Sequence, residues 1–324
     1  VDLSVTSKPR RAEKGIVLGV IGAGGYVPAM LLPHFKSEGV EFRAIATASG
    51  VSAHDVGKRF GFAEAVSNAD DVLDDPNVNL VVVGTRHDLH GELARKALER
   101  NKNVFVEKPL ALNDDQLDAV LEAAEKSSGR LMVGFNRRFS PSAQQAKEHF
   151  ANRDTPLSIL YRVNAGHIGK EHWTQDPTEG GGRIVGEVCH FVDLMQFLTG
   201  AAPVSIFAES VSAKSSKIVD ADSVFITLRF ADGSNGVIAY LSEGDKSLAK
   251  ERVEIFGAGR SFVLDDFRHG KIQDKGQRTQ VQRICAVLRE GGPAPISVDE
   301  LAATTRATFR VLDSLRTKCV VSLE

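Results

Sequence analysis

The apolar run Ile16-Val17-Leu18-Gly19-Val20-Ile21 breaks at Gly22-Ala23-Gly24-Gly25-Tyr26-Val27 and continues into a segment of helical period carrying Met30, Leu31 and Leu32. A buried strand that turns at glycine into a helix commits a chain to parallel crossovers, because parallel neighbours need a long connection that is usually helical. Gly22 would permit the tight turn, and Gly24 would let the backbone approach a phosphate resting on the helix N-terminus. The third glycine of such a turn is replaced by Val27, and a Gly-x-Gly alone carries little information. Gly257-Ala258-Gly259, between two strand-like runs, reads as a plain hairpin. Context decides between the two.

From Gly15 to about Phe139 strand-like runs alternate with helical ones, the pattern of βα units. Runs at 42–46, 80–83, 104–106 and 131–133 are the strands. Leu93, Ala94, Ala97 and Leu98 share one helix face, as do Leu117, Val120, Leu121 and Ala124, with Asn113 and Gln116 in capping-box positions. After Pro141 the runs at 156–163, 204–209, 223–230, 237–241, 253–256 and 262–264 follow with few helices between, and Asp232-Gly233-Ser234-Asn235-Gly236 is turn chemistry for a hairpin. A helix over 183–198, ended by Gly200, would cover one face of the resulting sheet. The expected fold is α/β: an N-terminal Rossmann doubly wound parallel sheet over 15–140, then a C-terminal α+β domain with a mostly antiparallel open sheet over 141–324. Residues 1–14 read as a tail or linker, and the amphipathic segments at 279–290 and 298–316 are free to pack back on the first domain.

A length of 324 residues suits two domains, since one core organises roughly 100–200. With a formal net charge of -2 the chain lacks the basic field that nucleic acid requires. Cys189, Cys285 and Cys319 are odd in number and widely spaced, which argues against disulfides and thiolate zinc and for a cytoplasmic location. No apolar run approaches the roughly 20 residues of a membrane helix, and the start lacks the apolar centre of a signal peptide.

Glu107-Lys108-Pro109 closes the run at 104–106. Proline holds the preceding residue extended, so Lys108 must project from the carboxyl end of its strand, the edge where open α/β sheets bind ligands. At the second strand's end, where a ribose-binding acid is usual, stand Thr47 and Ser49, so NAD or NADP is admissible. Gly84-Thr85-Arg86-His87-Asp88-Leu89-His90 and Gly134-Phe135-Asn136-Arg137-Arg138-Phe139 follow two other strands. Gly180-Gly181-Gly182 opens the later helix, which carries Glu187, His190 and Asp193 three residues apart and offers an acid and an imidazole. The spacing of His87 and His90 would also suit a metal, but no Cys or Glu constellation supports one, and metal is set aside. Asp193 reads as a structural partner and Trp173 as a plug of the domain interface.

Together these motifs resemble the Gfo/Idh/MocA family of oxidoreductases over nearly all of the chain after about Gly15. The glycine turn, the E-K-P lysine, the G-[FY]-N-x-R-[FY] strand end and the G-G-G…H-x-x-D helix carry the resemblance. It marks Lys108 and His190 as catalytic. Where many members have an aspartate four residues before the histidine this chain has Gly186, and Glu187 beside it is the candidate replacement. The resemblance implies cofactor contacts at Gly22, Gly24, Gly25, Tyr26, Thr47, Ser49, Thr85, Arg86, His87, His90, Glu107, Lys108 and Asn136, and substrate contacts at Arg138, Trp173 and His190. It implies hydride transfer between NAD(P) and a secondary alcohol or ketone of a polyol, sugar or sugar derivative. A cofactor-bound regulator without turnover and a redox-neutral hydrolase or lyase are the rivals. Residues 85–90 and 186–191 look most like a subgroup that follows a zinc-dehydrogenase-like part in two-part oxidoreductases. Apolar residues on both faces of 223–230 lead to the expectation of a homodimer or homotetramer.

Overall fold

The computed structural model describes residues 15–48, 50–212 and 222–323, so the expected tail at 1–14 and the candidate Ser49 lie outside the described residues. Two compact units are formed, one by the chain to Gly134 together with Gln277–Val298, the other by Phe135–Gly276 and Asp299–Glu324.

In the first unit β1 (Val17–Ile21), β2 (Glu41–Ala46), β3 (Glu64–Val66), β4 (Leu80–Val83), β5 (Asn103–Val106) and β6 (Leu131–Val133) make a sheet in the order β3-β2-β1-β4-β5-β6. Every pairing is parallel. All residues of β1 and β4 are buried, which is why these strands read as continuous apolar runs rather than alternating ones. The short β3, at the sheet's edge, was not legible: three residues show no period. Crossovers run through α1 (Leu32–Ser37), α2 (Gly50–Phe60), α3 (Ala69–Asp74), α4 (His90–Glu99) and α5 (Asp114–Lys126). Asn113 caps α5 by accepting from the Gln116 amide at 2.9 Å. The later helix Gln277–Glu290 joins this unit by burying Val281, Ile284 and Cys285 in its core, and Gln280 donates to the Val133 carbonyl at 2.8 Å.

Where β1 ends, the chain order in the sheet reverses between β1 and β4, and there glycine is sterically required. Gly22 has φ +84°, and a Cβ on it would lie 2.6 Å from the Thr85 amide nitrogen. A Cβ on Gly84 would lie 2.2 Å from Val27 Cγ2. Val27 thus stands where the usual turn has its third glycine because Gly84, across the sheet, makes the room. The turn then enters a π-helical segment, Val27–Leu31, before α1.

The second unit has α6 (Pro141–His149), β7 (Ser158–Asn164), α7 (Cys189–Thr199), β8 (Pro203–Ser210), β9 (Val224–Phe230), β10 (Asn235–Leu241), β11 (Glu251–Gly257), β12 (Arg260–Asp265), the hairpin of β13 (Arg268–His269) and β14 (Ile272–Gln273), and β15 (Val321–Ser322). With the first unit's Gln277–Glu290 as α8, the last helix is α9 (Val298–Thr317). Seven strands form one sheet, β12-β11-β7-β10-β9-β8-β15, antiparallel except for the β7/β10 pair. Val224, Ile226, Leu228 and Phe230 alternate into a core shared with Phe191, Leu194 and Met195 of α7 and with Ala307 and Val311 of α9. Gly200 ends α7 in the left-handed conformation at φ +74°. Among the described residues no helix is long and apolar enough to cross a membrane.

Buried charge ties this unit together. Glu251, fully buried, accepts from Arg137 Nε and Nη2 at 2.7 and 2.9 Å, from Lys275 at 2.7 Å and from the Tyr161 hydroxyl at 2.6 Å. Burial alone would raise its carboxyl's pKa, but Arg137 and Lys275 hold it well below the ordinary value.

The β1/β4 contact yields a test. Gly84→Ala should destabilise the protein by about 1–3 kcal/mol through overpacking, and adding Val27→Ala should restore most of the loss. Denaturant unfolding measures both. Equal stability of wild type and Gly84→Ala would contradict the steric account.

Candidate active site

In the first unit the expected cofactor residues gather at the carboxyl edge of the sheet. Gly24, Gly25 and Tyr26 are exposed, and a Cβ on either glycine would meet nothing within 4 Å. The outer side of the turn is therefore open to a ligand while Gly22 packs inward, the arrangement that lets main-chain amides face a pyrophosphate. Thr47 follows β2 and is half-buried, and Thr85 follows β4 with its hydroxyl donating to the Arg86 carbonyl at 3.0 Å. Lys108, half-buried, comes two residues after β5, beside buried Glu107.

His87 lies in the connection between β4 and α4 and His90 opens α4, their ring centroids 5.6 Å apart. His90 is 1 % exposed, and its two ring nitrogens face main-chain carbonyls, Nδ1 at 2.8 Å from Pro109 and Nε2 at 3.2 Å from Thr85. The side chain assigned to the cofactor from sequence is instead a clamp between the loop after β4 and the residue following Lys108. Burial, seconded by Lys108, pushes its pKa down to about 4 against the opposing pull of the two carbonyls. A neutral ring has one N–H, and the shorter distance assigns it to the Pro109 carbonyl. Among the described residues no group of three or more His, Cys, Asp or Glu could hold a metal ion.

The second unit presents the helix side chains. Gly181 and Gly182 have φ +72° and +74°, and a Cβ on Gly180 would lie 2.4 Å from Thr174 Cα. Gly180 therefore serves the chain's own close packing against Trp173 and Thr174, whereas a Cβ on Gly182 would meet nothing within 4 Å. Trp173 is half-buried on a short 3-10 turn, its ring 5.9 Å from that of His172. A π-helical segment, Ile184–Val188, precedes α7. Such widened turns recur at functional sites, and this one spaces Glu187 from His190. The His190 ring is 7 % exposed and packs edge-on to Phe135 at 6.2 Å. The Glu187 carboxylate stands 3.5 Å from Arg183 and 3.8 Å from Lys250. Arg183 also lies over the Tyr240 ring at 5.1 Å.

Two other side chains assigned from sequence are engaged within the protein. Arg138 is 4 % exposed and forks onto Asp193 at 2.7 and 3.0 Å, with Glu300 at 2.9 Å, so its guanidinium holds the interior of the unit. Asp193 is accordingly structural, as expected. Asn136, 2 % exposed, donates to the Lys275 carbonyl at 2.7 Å and fixes the end of the 267–276 segment. The missed participants, Glu251, Lys275 and Glu300, carry no local motif. They are found only through their distant partners.

The His90 clamp predicts a pH dependence. Its folded pKa near 4 lies below the ordinary 6.5, so the unfolded chain binds the extra proton between those values. The stability it sustains is present above about pH 6.5 and declines as pH falls toward 4, by about 3 kcal/mol. In His90→Gln the slope of unfolding free energy against pH over that window should flatten; an unchanged slope would show that His90 is not the titrating group.

A model of the oxidoreductase family with an NAD-binding Rossmann fold, Gfo/Idh/MocA, matches residues 16–135, and the model of that family's C-terminal domain matches residues 157–263. The chain is 28 % identical over 226 residues to myo-inositol 2-dehydrogenase of Thermotoga maritima, covering 65 % of this chain and 64 % of that protein. It is 26 % identical over 272 residues to inositol 2-dehydrogenase of Rhizobium meliloti, covering 79 % and 77 %. The fold matches that of a probable dehydrogenase from Thermotoga maritima with a TM-score of 0.83 at 22 % identity, over 95 % of this chain and 99 % of the other. With its glycine turn, parallel sheet and second open sheet, the chain belongs to the Gfo/Idh/MocA family of NAD-binding oxidoreductases.

Proposed function

We propose that this protein is an NAD-dependent dehydrogenase acting on a CH–OH group of a polyol, sugar or sugar derivative. The observation that carries the reading is Lys108 at the carboxyl end of β5, in the sheet that presents an open glycine turn two strands away. The inositol dehydrogenases among its relatives support the substrate class. Bound NAD supplies the hydride acceptor. His190 is the base for the hydroxyl proton, and Lys108 is the cation that stabilises a developing alkoxide. Glu187, 3.5 Å from Arg183 and 3.8 Å from Lys250, is the acid that tunes either partner. The glycine turn fits the pyrophosphate, and Thr47 is the donor to the ribose.

We also place the protein in the reducing cytoplasm, which suits Cys189, Cys285 and Cys319, none of them in a disulfide. A homo-oligomer follows from the outer face of the seven-stranded sheet. Leu160, Phe207, Phe225, Phe256 and Val263, on five of its strands, are 37–51 % exposed. On β9 itself only Phe225 is apolar on this face, so the patch is made by neighbouring strands more than by the one read from sequence. Contiguous apolar area of this kind is covered in most proteins that carry it.

Lys108→Ala and His190→Ala should each lower kcat by roughly 100-fold or more while NADH affinity stays nearly constant. An unchanged kcat in either variant would contradict that side chain's role. For the assembly, light scattering should give a dimer or tetramer for the wild type and a smaller species for Leu160→Glu/Phe225→Glu; a wild-type monomer at micromolar concentration would contradict the interface.

A further inference from the structure

Beyond the residues considered so far, the second unit contains a cavity of about 460 Å³ bounded by the end of β7, the 244–250 loop and the start of the β13/β14 hairpin. Its rim carries three cations, Lys246, Lys250 and Arg268, against one lining carboxylate, Asp266. Arg268 is held 3.3 Å from Asp266 Oδ2, and Lys250 stands 3.8 Å from Glu187, on the helical segment that leads to His190. Asp245, next in the loop, is committed to its own turn by accepting from the Ser247 amide at 2.7 Å. Two buried acceptors belong to the same lining. Asn164 Oδ1 and Asp266 Oδ1 receive no hydrogen bond within the protein, although Asn164 and Asp266 are 8 % and 5 % exposed; the cation facing Asp266 Oδ1, Lys275 Nζ, stands 4.0 Å away, beyond hydrogen-bond reach. The Asn164 amide is held in place from its other end, donating to the Asp245 and Leu248 carbonyls at 2.7 and 3.1 Å. Gly244 is what lets the loop lie against it, since a Cβ there would fall 2.0 Å from Asn164 Oδ1.

Buried acceptors without donors are costly, and hydroxyl groups of a ligand are the donors that would relieve them. A cationic rim around hydroxyl acceptors suits a molecule that is polyhydroxylated and negatively charged. We propose that this cavity is a subsite for an anionic sugar, a hexuronate or a sugar phosphate, whose hydroxyls donate to Asn164 and Asp266 and whose charged group meets Lys246 and Arg268. The proposal rests on the dehydrogenase reading for its substrate class, and it makes charge the feature by which this chain separates its substrate from neutral polyols. Lys250 links the subsite to the helix of His190 through Glu187.

The test is an equilibrium titration of the NADH-loaded protein with glucuronate, glucose 6-phosphate and glucose, followed separately by turnover with NAD. At least one anionic sugar should bind roughly tenfold or more tightly than glucose, with an affinity that falls as salt is raised. The tighter of the two distinguishes a carboxylate from a phosphate site. Lys246→Ala/Arg268→Ala should abolish the preference without weakening NADH binding, and Lys246→Arg/Arg268→Lys should retain it. Equal affinity for all three sugars, no binding of any, or a preference that survives in the alanine variant would overturn the subsite. A preference without oxidation of any sugar would instead strike the dehydrogenase reading and leave the subsite standing.

Discussion

The approach of Gly22 to the Gly84–Thr85 peptide is the contact on which the first unit's chemistry depends. It brings the ends of β1 and β4 so close that no side chain fits between them, and it does so where the strand order changes direction. At such a point the loops on either side part and leave a crevice at the strands' carboxyl ends. The open glycines 24 and 25, Thr47, Thr85 and Lys108 all follow strands at that edge. Moving Val27 into the space left by Gly84 preserves the approach without the usual third glycine, so the departure in sequence leaves the geometry intact.

In the second unit the corresponding role falls to buried charge. Arg137 and Arg138 are neighbours in sequence and diverge in space, one onto Glu251 and the other onto Asp193 and Glu300. A buried guanidinium is tolerable only when its donors are matched, and a bidentate carboxylate matches them with fixed direction. Arg138 thereby holds α7 through Asp193, one turn beyond His190. The imidazole's place is set by a helix that cannot slide without breaking that pair. This is the physical reason a motif that reads as substrate-binding serves as scaffold.

The fold was legible because its signals are local. Continuous apolar runs marked β1 and β4 as buried on both faces, glycine marked the turn, and the change to short alternating runs after Pro141 marked the second sheet. Lys108 was legible because proline fixes its direction. What sequence could not convey was which polar residues are turned inward. His90, Asn136 and Arg138 have the same types and spacings whether they face a ligand or the interior, and only partners such as Pro109, Lys275 and Asp193, 19, 139 and 55 residues away, decide between the two. The edge strand β3 escaped notice for a simpler reason, its three residues being too few to carry a pattern.

The central claim is that the glycine turn holds a nicotinamide dinucleotide. Calorimetric titration of the full chain with NADH, beside the Gly24→Asp variant, tests it most directly. The account predicts saturable binding by the wild type at one site per chain and its loss in Gly24→Asp, where a carboxylate would occupy the open side of the turn and repel the pyrophosphate. No binding of NADH or NADPH by the intact wild-type protein would contradict it.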